Sequence, residues 1–284
     1  MFVIDFSKEE TATSYTNLGA GPTKMTVDQH FLLDENCVRK LVENASVNKT
    51  ETILDIGAGE GIISAALSHR AKLVYAVEKD HQLLPVLMRN LSNYPNVVVI
   101  RGDILKLRLP NYDKVVANPP FSVLEPFLMR HLRNPVLMSL LTPRKFADSV
   151  TSHNTSLGFK TALAYKASMA EYFPGEICQP PYPGDLCILV LTPKQKTVVE
   201  DAMIRSLSYS ASKVRNALRN VLWSSLTKRE AIRIVELSEL DDHLLEKPVK
   251  RTTLKDLQKM FQFLKSVYER DIGDKHLRID QRHP

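Results

Sequence analysis

The chain has 284 residues, 44% hydrophobic and 25% charged, ordinary for a soluble globular protein and long enough for two domains. No apolar run reaches membrane-spanning length, and residues 1–28, with early acids at Asp5, Glu9 and Glu10, read as an N-terminal leader that fits neither a secretory nor a transit peptide. Cys37, Cys178 and Cys187 form no CxxC pair, which argues against a disulfide framework and a zinc site; no metal is expected, and a reducing cytoplasm is the expected location. The charge is uneven: residues 1–190 carry 19 Lys and Arg against 19 Asp and Glu, whereas residues 191–284 carry 19 against 13, a net of +6. A basic module joined to a neutral one points to a polyanionic partner, although a solvated basic surface would carry the same charge.

In chain order, Asp34 is placed to cap a helix whose apolar positions Val38, Leu41, Val42 and Ala45 fall at helical spacing. Short apolar runs at 53–56, 73–77, 97–100, 115–117, 136–141 and 186–191 then read as buried strands, with helices at 62–69 and 80–91 between the first of them. That alternation predicts βαβ units, a mostly parallel sheet covered on both faces, and a ligand site at the carboxyl ends of its strands. After Thr192-Pro193 the strand signals stop. Val214, Ala217, Leu218 and Val221 share a stripe, Thr227-Lys228-Arg229-Glu230 has the spacing of a capping box, and Leu254, Leu257, Phe261, Leu264 and Tyr268 recur at helical intervals. The boundaries expected are thus a leader at 1–28, a catalytic domain at 29–193 and a helical domain at 194–284, whose end past residue 271 is polar.

The first strand runs into Asp55-Ile56-Gly57-Ala58-Gly59-Glu60-Gly61, a turn whose glycines let backbone approach a ligand closely. Ile62 stands where a dinucleotide fingerprint needs its third glycine, and no Gly-Lys-Ser/Thr follows, so neither that motif nor a P-loop fits. The spacing resembles motif I of the class I S-adenosylmethionine methyltransferases. Glu78 closes the second strand, where a carboxylate can accept both ribose hydroxyl protons; Asp103 follows the third, placed to accept from an adenine amine; Asn118 ends the fourth. Asn118-Pro119-Pro120-Phe121 is either a plain strand-ending turn or the active-site loop of an enzyme that methylates an exocyclic amine on a nucleic-acid base. In the second reading the Asn118 oxygen and the Pro119 carbonyl accept the amine protons, and Phe121 offers a flat face to an extruded base.

With Gln29-His30-Phe31-Leu32 ahead of this fold, the chain resembles the rRNA adenine dimethyltransferases, which modify adjacent adenosines near the 3′ end of small-subunit rRNA; the likeness runs from Gln29 nearly to the end. Gln179-Pro180-Pro181-Tyr182-Pro183 matches that family's proline-rich stretch, and residues 213–222, KVRNALRNVL, match its basic helix. The resemblance implies an α/β, Rossmann-like class I methyltransferase sheet with helices on both faces and a small all-α C-terminal domain. It implies S-adenosyl-L-methionine held by Gln29, His30, Leu32, Gly57, Gly59, Glu78, Asp103 and Asn118, and a target adenine handled by Asn118, Pro119 and Phe121. Lys213, Arg215, Arg219, Lys228, Arg229 and Arg233 would hold RNA phosphates, and a monomer would act on the pre-ribosomal small subunit without any membrane role. The sequence departs from the family at Pro119, usually aliphatic, at Phe121, usually tyrosine, and at Gly184-Asp185-Leu186. The first two give a form more typical of DNA adenine methyltransferases and leave the methyl count open. The alternatives are an adenine methyltransferase acting on DNA or large-subunit rRNA, and a non-catalytic RNA-binding or ribosome-assembly protein of the same fold.

Overall fold

The computed structural model describes residues 3–5 and 30–272, which fold as two compact units. One holds the described residues up to His131, with Pro135–Thr151 and Lys166–Pro193; the other holds Leu132–Asn134, Ser152–Tyr165 and the described residues from Lys194 onward.

In chain order the first unit contains β1 (Val3–Asp5), β2 (Phe31–Leu32), α1 (Glu35–Ala45), β3 (Thr52–Ile56), α2 (Ile62–Ser68), β4 (Leu73–Glu78), α3 (Leu84–Asn90), β5 (Val97–Arg101), β6 (Lys114–Ala117), α4 (Phe121–His131), β7 (Leu137–Pro143) and α5 (Arg144–Thr151). A short helix, α6 (Ser156–Ala162), belongs to the second unit; β8 (Tyr165–Phe173), β9 (Cys178–Gln179) and β10 (Leu186–Pro193) follow it. The six expected runs are all strands. They are legible because a strand covered on both faces needs apolar residues at every position: Ile53, Leu54, Val115 and Val116 on parallel strands, and Ile188 and Leu189 on the antiparallel β10, are all fully buried. The helix α1 forms as expected, with the Asp34 carboxylate accepting from the Cys37 amide at 2.6 Å and Val38, Leu41, Val42 and Ala45 turned into the core. The helix α3 starts at Leu84, not at the expected residue 80. Pro85 has no amide to donate and fits only a helix's first turn, and the residues before it close a turn instead.

The main sheet has the order β1-β5-β4-β3-β6-β7-β10-β8, parallel from β1 through β7, with β10 antiparallel to β7. From β3 the chain moves outward through β4 to β5, then returns to lay β6 on the other side of β3. The loops leaving β3 and β6 therefore diverge at one point of the sheet, a topological switch where α/β proteins open a cleft.

The second unit continues with α7 (Val198–Ser208), α8 (Val214–Leu222), α9 (Lys228–Glu236), α10 (Asp242–Glu246) and α11 (Leu254–Val267). Thr227 and Glu230 close the expected capping box, and Thr197 with Glu200 and Thr253 with Asp256 make two more. On α11 the buried stripe is Leu257, Met260, Leu264 and Val267, while the expected Phe261 is half-buried and meets Phe159 of α6 edge-on, centroids 6.0 Å apart. No described helix is long and apolar enough to cross a membrane.

Candidate active site

The glycine turn after β3 is anchored by the amides of Gly57 and Ala58, which donate to the Val77 carbonyl at 2.9 and 3.0 Å. Gly57 has φ +68°, a left-handed conformation that disfavours any side chain, and a Cβ there would stand 2.7 Å from Cδ of Pro120. The glycine turn and the Asn-Pro-Pro-Phe loop thus approach so closely that only hydrogen fits between them. Glu78, at the end of β4, faces the same turn. One carboxylate oxygen accepts from the Gly59 amide at 2.9 Å, and the other accepts from the amides of Lys79 and Asp80, both at 2.8 Å. Burial raises its pKa above the ordinary carboxylate value against the pull of those three amides.

Asn118 leaves β6 and donates from its Nδ2 to the His30 carbonyl at 2.9 Å. That bond fixes the carboxamide's orientation and leaves its oxygen as an acceptor. α4 begins at Phe121, and the amide of Val123 donates to the Pro120 carbonyl. The Phe121 ring stacks on His30, centroids 5.8 Å apart and planes at 20°, and Tyr182 meets both edge-on, at 5.1 Å from Phe121 and 5.4 Å from His30. The His30 ring is fixed in turn by Nδ1 against the Pro180 carbonyl at 2.8 Å. The β2–β9 pair and the bond from the Leu33 amide to the Ile177 carbonyl bring these segments together. Gly175 makes the arrangement possible, because a Cβ there would fall 1.9 Å from the Tyr182 carbonyl oxygen. Tyr182 braces two residues of the cleft without lining it, and its only sequence signal is its place in the proline-rich stretch, which names no partner.

His30, Leu32, Gly57, Gly59, Glu78, Asn118, Pro119 and Phe121 line one cleft of about 330 Å³, within the range of small-ligand sites. Asp103 is not among its lining residues. It follows β5, accepts from Lys79 Nζ and the Leu105 amide, both at 3.1 Å, and has its pKa held below the ordinary value because these outweigh its partial desolvation. Gln29 lies outside the described residues. Among the described residues no cluster of His, Cys, Asp and Glu could hold a metal ion. Of the six basic candidates, all in the helical unit, Lys213 pairs with Glu246, Arg215 with Asp242 and Glu246, and Arg219 with Glu236 at 2.8 Å. Lys228 lies over the Trp223 ring, and Arg229 and Arg233 are exposed without an ion pair among the described residues.

The fit of the cleft to S-adenosyl-L-methionine rests on polar atoms in it and beside it. Asp55, just before the glycine turn, is buried beneath it and does not line the cleft; one oxygen accepts from Ser64 Oγ at 2.7 Å, and the other, also buried, has no partner among the described residues. Orphaned oxygens of this kind are rare and call for a donor. With a turn open enough for close backbone approach and a buried carboxylate at Glu78, the site suits a ligand with hydroxyl and amine donors and a cationic centre, and not a phosphate. Desolvation, reinforced by the charge of Glu78, raises the Asp55 pKa to about 7 against the opposing hydrogen bond from Ser64. Its unfolded value is near 4, so between these the native chain keeps a proton that the unfolded chain has lost, and stability falls as pH rises from about 4 to about 7. Asp55→Asn retains an acceptor for Ser64 and removes the titration. Denaturant melts at pH 5 and pH 8 should show wild type losing stability relative to the variant, by a few kcal/mol at most; an equal change in both would refute the assignment.

A family model for ribosomal RNA adenine dimethylase matches residues 22–266. The chain belongs to the ribosomal RNA adenine dimethylase family. A probable ribosomal RNA small subunit methyltransferase A from Methanosarcina mazei is 31% identical across 82% of this chain and 89% of its own. A ribosomal RNA small subunit methyltransferase A from Enterococcus faecalis is 30% identical across 72% of this chain and 75% of its own. Among solved structures, a dimethyladenosine transferase from Plasmodium falciparum superposes with a TM-score of 0.57 over 83% of this chain and 98% of that one at 20% identity. The 23S rRNA methyltransferase ErmE does so with a TM-score of 0.56 over 83% and 99% at 19% identity. At such identities the two structures speak for the fold. The class I methyltransferase sheet expected from sequence is the architecture of this member of the ribosomal RNA adenine dimethylase family.

Proposed function

We propose that the protein transfers methyl groups from S-adenosyl-L-methionine to the exocyclic amine of adenosines, with adjacent adenosines near the 3′ end of small-subunit rRNA as its targets. The observation that carries this reading is the Asn118 carboxamide. Its nitrogen is committed to the His30 carbonyl, and its oxygen is presented beside Pro119 and Phe121 in the cleft that the glycine turn lines. An amine conjugated to a purine has its lone pair drawn into the ring. Two acceptors, Asn118 Oδ1 and the Pro119 carbonyl, take its protons and free the lone pair for attack. The flat face of Phe121 holds the base, and His30 and Tyr182 hold Phe121. No strong base is required, since the nitrogen becomes acidic as it is alkylated.

S-adenosyl-L-methionine, when bound, supplies a methyl carbon activated by a sulfonium. Glu78 would accept from its ribose hydroxyls, Gly57, Gly59, His30, Leu32 and Gln29 would pack around it, and Asp103 would accept from its adenine amine once released by Lys79. The helical unit would serve as the RNA-holding domain; of the six basic candidates Lys228, Arg229 and Arg233 are the more available cations, and Lys213, Arg215 and Arg219 are already compensated by acids. The relatives named for the ribosomal small subunit support that substrate; the reading places a monomer on the pre-ribosomal particle in the cytoplasm. One observation favours a second reading, action on DNA or large-subunit rRNA: Pro119 and Phe121 stand where the family carries an aliphatic residue and tyrosine. Incubating the enzyme and S-adenosyl-L-methionine with unmethylated small subunits, naked large-subunit rRNA or duplex DNA, followed by mass spectrometry of the nucleosides, separates the two. N6,N6-dimethyladenosine is expected in the small-subunit sample alone; monomethyladenosine only, or methylation confined to another substrate, would overturn the proposal.

A further inference from the structure

Trp223 is the only tryptophan in the chain, and it is 54% exposed just past the end of α8. An indole left in water forfeits the burial that usually justifies a tryptophan, so its surroundings merit attention. It stands at one end of a groove of about 380 Å³ between α8 and α9, walled on the α8 side by Asn216, Arg219 and Asn220 and on the α9 side by Lys228 and Ile232. The composition is specific. Asn216 and Asn220, one helical turn apart and both exposed, each offer a donor and an acceptor. Arg219 is pinned by Glu236 at 2.8 Å, and its Nε is buried without a partner among the described residues. Lys228 Nζ lies 5.5 Å from the centre of the Trp223 ring, holding a cation over an open aromatic face.

We propose that this groove is a subsite for one unstacked nucleotide of single-stranded RNA, a role that rests on the RNA substrate proposed above. A base stacks on Trp223, the asparagine carboxamides meet its edge or the ribose hydroxyl, and Lys228 moves from the indole face to the adjoining phosphate. The exchange is favourable because an exposed cation–π contact is weaker than base stacking on an aromatic ring, and the ammonium gains an anionic partner in the phosphate. The net +6 of residues 191–284 supplies the sign that draws an RNA strand to this unit. The alternative occupant, an acidic protein segment, would use the cations but leave the indole face and the carboxamide pair without a role.

The lone tryptophan makes the test direct. Titrating the full chain with a short oligoadenylate RNA should quench Trp223 emission in step with binding, followed independently by anisotropy of a labelled RNA. Trp223→Ala should weaken RNA binding by about tenfold to a hundredfold, and Trp223→Phe, which keeps a flat face, should restore most of it. Lys228→Gln should weaken binding and flatten its dependence on salt. Unchanged emission at RNA saturation, an alanine variant that binds RNA as tightly as wild type, or quenching by an acidic peptide and not by RNA would overturn the subsite. Neither readout needs cofactor or turnover, so an enzyme that methylates rRNA without quenching sinks the subsite alone, and quenching in a protein that methylates no rRNA sinks the activity alone.

Discussion

Asn118→Ala is expected to lower methyl transfer by at least a hundredfold to a thousandfold, the usual loss when one preorganised polar partner of a transition state is removed, while S-adenosyl-L-methionine affinity changes only a few-fold. The substitution deletes the oxygen proposed to accept a proton from the target amine and the nitrogen that donates to the His30 carbonyl. The second loss is local, because His30 keeps its bond to the Pro180 carbonyl and its ring contacts with Phe121 and Tyr182. Single-turnover transfer and calorimetric cofactor titration on the same preparation separate the effects. Turnover near the wild-type rate would sink the assignment of Asn118.

Gly57→Val should fail in the opposite order, losing cofactor first. A branched side chain at φ +68° costs about 1–3 kcal/mol in backbone strain, and its Cβ would stand 2.7 Å from the Pro120 ring, so the turn or the loop must move. Movement of the turn disturbs the Gly59 amide that Glu78 accepts; movement of the loop carries Asn118 and Phe121 out of place. Cofactor affinity should fall by roughly tenfold or more, about 1.4 kcal/mol, and transfer with it. A variant that binds cofactor normally would show that the close approach of the two loops is incidental.

These two outcomes concern features that could be read from sequence, and the reason is physical. The six central strands are buried on both faces, so burial writes itself as unbroken apolar runs, and a left-handed turn demands glycine. What escaped obeys weaker rules. In β8, Tyr165–Phe173, exposed and half-buried residues alternate along a strand at the sheet's edge, where lysine, serine and glutamate are tolerated. α4 carries Pro126 inside it, which in sequence reads as a break. Partners distant in sequence were invisible: Lys79 for Asp103, and Glu236, Asp242 and Glu246 for the basic residues of α8. Counting charge made Lys213, Arg215 and Arg219 equal to Arg229 and Arg233, whereas the fold compensates the first three. The aromatic contacts of Tyr182 depend on a chain reversal that Gly175 permits and that no periodicity encodes.

The strand Val3–Asp5 pairs in register with Val99, Ile100 and Arg101 of β5, yet it lies in a segment that motif reading treats as a mere leader. Without it β5 would be the margin of the sheet, a hydrophobic strand with a bare row of amides and carbonyls, the kind of margin that recruits a second molecule by backbone pairing. Three residues thus act as a selvedge: Val3–Asp5 occupies the backbone groups through which β5 would otherwise pair with a second molecule.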